Sequence, residues 1–161
     1  MSTREFFAKR FKIERPAFES VIRALPNEKI DYKPHERNSS AGDIAWFLAL
    51  ELRALVDKLN TGEIQWKQVP TPGSLDEIAE KYKSAADDME KALSLADDAK
   101  WEREGKMYFN GKLMKTAPVG ETLWDFWFDA IHHRGQLTAY LRPMGGKVPP
   151  VYGPTADTKN D

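Results

Sequence analysis

"DAIHHRGQLTAYLRPMGGKVPPVYGPT", residues 129–155, holds two of the chain's three histidines side by side and ends in a run of Gly and Pro. Its spacing predicts the last turns of a long helix running from near Val119 to about Arg142. Pro143, which lacks a backbone donor, stops that helix. Helical residues advance by roughly 100° each. Leu123, Phe126, Ala130, Leu137 and Leu141 therefore share an inner arc. His133 falls inside the arc, and His132 falls well outside it, towards the surface or a partner chain. Asp129, Gln136 and Tyr140 follow the arc's edge, so a polar seam Asp129–His133–Gln136–Tyr140 runs beside the apolar face. Trp124, Phe126, Trp127 and Phe128 spread too widely for one face; they belong either to a large core or to a seam between two subunits. Arg134 and Arg142 read as solvated charges or as members of salt bridges.

Outward from this helix, three more are expected. Phe6, Phe7, Phe11, Phe18, Val21, Ile22 and Leu25 recur at near-helical spacing, with Pro16 placed to kink or split the segment. A loop with Pro26, Pro34 and a polar cluster follows. Ser40, with Asp43 three residues on, can cap a second helix whose stripe is Ile44, Leu48, Leu52, Leu55 and Leu59, ending at Asn60 and Gly62. "EIQWKQVPTPG" reads as a connector. Ser74 and Glu77 form a capping box for a third helix reaching about Ala96. Between it and the last helix, Tyr108 and Phe109 precede Asn110-Gly111, a strong hairpin-turn signal. The expected architecture is all-α: a four-helix bundle with a long crossover carrying a small hairpin between the third and fourth helices. It occupies one domain, residues 1–155, whose Gly- and Pro-rich segment wraps back, followed by a polar tail over 156–161.

The composition narrows the function classes. Hydrophobic residues make up 41% of the 161, charged residues 30%, and the formal net charge is −1. No basic stripe suggests a nucleic-acid partner. The absence of cysteine excludes disulfides, protein thiolate nucleophiles and cysteine-ligated zinc. No stretch approaches the roughly 20 apolar residues needed to cross a bilayer. The N-terminal segment is charged throughout, with no apolar signal core. The expectation is a cytoplasmic protein without membrane or nucleic-acid partners.

Glu51 lies close to the second helix's apolar stripe, between Leu48 and Leu55. A buried carboxylate needs a partner, and a histidine, an arginine or a metal on the facing helix would serve. His133 is open to two readings: a hydrogen-bonded core residue, or a ligand or proton-transfer group. Spacing alone does not decide between them.

"HHRGQLTAYLR" followed by "PMGGKVPPVYGPT", with "SSAGDIAWFLALELRAL" as the second helix, resembles the DinB-like family of damage-inducible, metal-dependent helical bundles. The likeness extends over most of the chain, and the HRGQ block with its tail is its most specific part. It implies a left-handed-connected bundle, often a homodimer. It also implies a divalent metal, typically zinc or nickel, held between helices by three histidines: one from the second helix and an HxxxH pair from the last. Carried onto this sequence, the last ligand is His133, its partner position is Asp129, and the second-helix position is Phe47. A phenylalanine cannot ligate, so Glu51, one turn on, is the substitute. A Glu51/Asp129/His133 set would be more oxygen-rich and would favour manganese or magnesium. Otherwise the metal is lost.

The resemblance implies a metal-dependent transferase or hydrolase using a low-molecular-weight thiol as cosubstrate. His133 is the candidate catalytic residue, a general base where no metal binds. Phe47, Gln136 and Tyr140 are candidate substrate contacts. The alternative is a non-catalytic bundle that binds a small molecule or a partner subunit, with Phe47 filling the ligand position. His35, in the loop before the second helix, is a remote candidate at the bundle mouth.

Overall fold

The computed structural model describes residues 1–158. Of the tail expected over 156–161, residues 159–161 lie outside the described residues. Four long helices form a bundle: α1 (Thr3–Arg23), α2 (Ala41–Thr61), α3 (Leu75–Leu95) and α5 (Val119–Leu141). α2 packs on α3 and α5, and α1 closes the square against the same two. Each of the first two helices opens with a complete capping box, Ser2 with Glu5 and Ser40 with Asp43. These boxes satisfy backbone donors that have no partner within the helix. At α3 the Ser74 side chain accepts from the Glu77 amide. Pro16 neither splits nor ends α1. It sits on the exposed side, beside Lys12, so the carbonyl it leaves without a donor is open to water.

The all-α expectation is corrected by a three-stranded mixed sheet, ordered β1 (Glu63–Trp66), β2 (Glu104–Phe109), β3 (Lys112–Pro118). A five-residue helix, α4 (Asp98–Glu102), precedes β2. The hairpin β2–β3 turns at Asn110 (φ 48°) and Gly111 (φ 80°), both left-handed as the tight hairpin turn requires. β1 lies within the segment read as a connector. It pairs parallel to β2, with Ile64 opposite Met107 and Trp66 opposite Phe109. Four residues carry little periodic signal. The strand exists because its long-range partner supplies the ladder and because Ile64 is fully buried beneath it.

β2 lies very close to the end of α2. A Cβ on Gly105 would stand 2.5 Å from the Gly62 carbonyl and 2.6 Å from Lys58 Nζ. Only glycine allows that approach, and through it buried Lys58 donates to the Lys106 carbonyl at 3.1 Å. The bundle core includes an aromatic cluster in which Phe7, Phe11 and Phe18 of α1 meet Trp127, and Phe7 also meets Trp101.

Candidate functional site

α2, the sheet and α5 line a cavity of about 390 Å³ that is open to solvent on one side. Its walls are Phe47 from α2, Trp66 from β1, Met107 and Phe109 from β2, and Phe126 from α5. Its polar lining consists of three carboxyl groups, Glu51, Asp125 and Asp129. The rings are tilted against one another. Phe47 and Trp66 meet at 5.4 Å and 61°, Trp66 and Phe126 at 6.3 Å and 55°. Tilted rings form walls around a space, whereas a parallel stack would close it.

Glu51 occupies the buried end, at 3% exposure, and its Oε2 has no hydrogen-bond partner. Burial, reinforced by the nearby Asp129 carboxylate, pushes its pKa up to about 9. Glu51 therefore carries a proton at neutral pH and can donate it towards Asp129. Asp129, half exposed, is 3.2 Å from His133 Nε2. The other ring nitrogen, Nδ1, lies 2.7 Å from Gln136 Oε1. Phe47 meets the His133 ring edge-on at 5.2 Å.

Glu51, Asp129, His133 and Phe47 thus stand together, and Gln136 joins them through His133. Both His133 nitrogens are engaged within the protein, and the ring touches the cavity's wall and one of its acids. In this arrangement it orients Asp129. Tyr140 points elsewhere: its hydroxyl donates to the Ser39 carbonyl at 3.3 Å, and its ring packs edge-on against Tyr32. His132 and His35 are exposed, neither of them on the cavity.

These residues do not fit a three-ligand metal centre as they stand. Among the described residues, no group of three His, Asp or Glu side chains is arranged to hold a metal ion. Phe47 presents a ring where the second helix would supply a ligand, and the His133 nitrogen nearest the acids is already paired with Asp129.

Several residues of consequence escaped the sequence reading. Trp66, Met107 and Phe109 reach the cavity only because the sheet forms. Asp125 carried a usable signal, lying one helical turn before Asp129. Across the bundle, Arg134 is the charged residue that turns fully inward on α5. Its Nη1 donates to Glu14 at 2.8 Å, with both side chains 3% exposed. Tyr152 completes the set, donating to Glu14 at 2.9 Å and accepting from Arg134. The guanidinium also lies 4.5 Å from the Phe18 ring centroid. Glu14 was legible, because it falls on the stripe Phe7, Phe11, Phe18. Arg142 pairs with Asp157 at 3.0 Å.

No helix of the described residues is long and apolar enough to cross a membrane. The chain is 28% identical over 158 residues to the uncharacterised protein YrdA of Bacillus subtilis (strain 168), covering 96% of this chain and 91% of YrdA. Its fold is similar to that of a DinB-like protein from Bacillus cereus ATCC 10987. The TM-score is 0.76 at 22% identity, covering 92% of this chain and 97% of the other. A second DinB-like structure, YjoA from Bacillus subtilis, gives a TM-score of 0.73 at 20% identity, covering 92% and 99%. The DinB family profile matches residues 1–160, nearly the whole chain, and includes the HRGQ block and the tail that supplies Tyr152. By that match and by its fold, this chain belongs to the DinB family.

Proposed function

We propose that this protein binds a small molecule in the cavity between α2, the sheet and α5, with the Glu51–Asp129 carboxyl pair as its polar anchor. The observation that carries the reading is Glu51: a buried carboxyl with an unpartnered oxygen, lining a cavity large enough for a ligand. Leaving a buried polar group unpaired costs about 1–3 kcal/mol, so its retention at the end of a cavity is accounted for by a ligand group that pairs with it. The volume falls within the roughly 300–1,000 Å³ of small-ligand sites. The chain of contacts Glu51–Asp129–His133–Gln136 supports a proton-handling role. Glu51 holds a proton that it can give to the bound molecule, Asp129 offers a carboxylate that can take one from it, and His133 fixes the position of Asp129. Acid–base chemistry on the bound molecule is therefore the form of catalysis this site favours.

The reading is tested by thermal-shift screening of a fragment collection against the wild-type chain and Met107→Trp, which fills the cavity from β2. The expected result is a set of fragments that raise the wild-type melting temperature and leave the variant's unchanged. Fragments that stabilise both proteins equally, or none that stabilise the wild type, would refute it.

The expected partner is a second copy of this chain. Supporting it are the stacked rings of Phe6, Trp124 and Phe128, the last 63% exposed, which form an apolar ladder along the outer side of α1 and α5. Sedimentation of the wild type against Phe128→Glu tests this. A dimer that dissociates in the variant is expected, and a wild-type monomer at all concentrations would overturn it.

A further inference from the structure

We infer that the cavity's ligand is an organic cation, a protonated or quaternary amine bearing an apolar group; this rests on the ligand-binding reading above. Three observations converge on that class. The walls present aromatic rings from three separate elements: Phe47 on α2, Trp66 and Phe109 on the sheet, and Phe126 on α5. The negative π-faces of such rings attract a cation placed over them, and tryptophan does so most strongly. Phe47 meets Trp66 and Trp66 meets Phe126, so these three rings form one contiguous aromatic wall of the cavity.

The polar lining is acidic, with no lysine, arginine or histidine among the lining residues described. The nearest basic side chains are already committed. Lys115 pairs with Asp125 at 2.6 Å and with Glu121 at 3.4 Å, and His133 is held by Asp129 and Gln136. Entry of an anion would bring like charge against Asp129, the carboxylate of the lining that no lysine or arginine neutralises. A neutral apolar molecule would fill the walls but leave the Glu51 oxygen without a partner. A cation with N–H or polarised C–H groups answers both parts of the lining. The unpartnered Glu51 oxygen, on a side chain 3% exposed, is the independent mark that something belongs there.

The test uses three probes of matched aromatic bulk: benzyltrimethylammonium, benzyl alcohol and benzoate. Binding is followed by ligand-observed NMR and by tryptophan fluorescence on the full chain. The expected order is cation well ahead of alcohol, with benzoate weakest. Asp129→Asn and Trp66→Ala should each weaken the cation about three- to tenfold, the loss that follows from removing one partly exposed cation–π or charge contact. Asp129 is half exposed, so its variant tests the charge without removing core packing. Trp66→Phe should restore part of the binding lost in Trp66→Ala.

Equal or tighter binding of benzyl alcohol or benzoate would overturn the cation assignment while leaving the ligand-binding reading intact. Cation binding insensitive to both variants would place the probe elsewhere and also overturn the assignment. Failure of all three probes, together with failure of the fragment screen, would remove both readings.

Discussion

Replacing Glu51 by Gln changes one proton and almost no volume, so its effect can be worked from the structure. In the unfolded chain this carboxyl ionises near its ordinary value of 4.5; in the fold it holds its proton up to about 9. Between those values the native state binds more protons than the unfolded state. Stability therefore falls as pH rises through the window, is fully present below about 4.5, and is lost by about 9. Each pH unit within it removes about 1.36 kcal/mol. From about pH 5 to about pH 8 the wild type should lose about 2–4 kcal/mol through this residue, the lower end applying where cavity water solvates the ionised form. Glutamine carries no titrating proton, and its amide can donate to Asp129 as protonated Glu51 does. The variant should match the wild type near pH 5 and exceed it by about 2–4 kcal/mol near pH 8. Urea melts of both proteins across that range give the difference directly, because the two proteins differ only at this residue. A difference that stays flat with pH would show that Glu51 does not carry its proton in the fold, and the site's acid–base reading would go with it.

Arg134→Met leaves Glu14 charged and buried with only Arg10 and Tyr152 beside it, so denaturant melts should show a loss of about 3–5 kcal/mol. Adding Glu14→Gln to that variant should recover part of the loss, since both buried charges are then gone; a strictly additive double variant would contradict the pairing. Gly120→Ala should cost about 1–3 kcal/mol despite alanine's better helix propensity. The new Cβ would stand 2.1 Å from the buried Trp101 indole. A stabilised variant in urea would show that α4 can move away freely.

The long elements were legible because each carries its own signal. α2 and α3 have apolar stripes and N-caps, α5 has a stop at Pro143, and Asn110-Gly111 announces the hairpin. The sheet was not legible. β1 has only Glu63, Ile64, Gln65 and Trp66, and its reason for being a strand lies some 40 positions away in β2. The site divides along the same line. Helical periodicity places Glu51, Asp129 and His133 on the inner sides of their helices, whereas Phe47 was pointed to only by the family resemblance. Tyr140 could not be placed correctly: it lies on the same seam, but its hydroxyl donates to the carbonyl of Ser39, 101 positions earlier. Arg134 shows the limit from the other side. A charged residue turns inward when a partner waits there, and that partner, Glu14, lies 120 positions earlier.

The Glu14–Arg134–Tyr152 set has a consequence for biosynthesis. Its members are drawn from α1, α5 and the segment after it, so the ribosome delivers them in that order, with 138 positions between the first and the third. Until residue 152 has emerged, Glu14 and Arg134 lack one of the groups that offset their removal from water. The two helices therefore gain the full set of contacts between them only after residue 152 has been made. Stop codons just before Tyr152 should lower folding yield through the loss of its hydroxyl contacts to Glu14 and Arg134, and the same mRNA read through a few codons more should restore it.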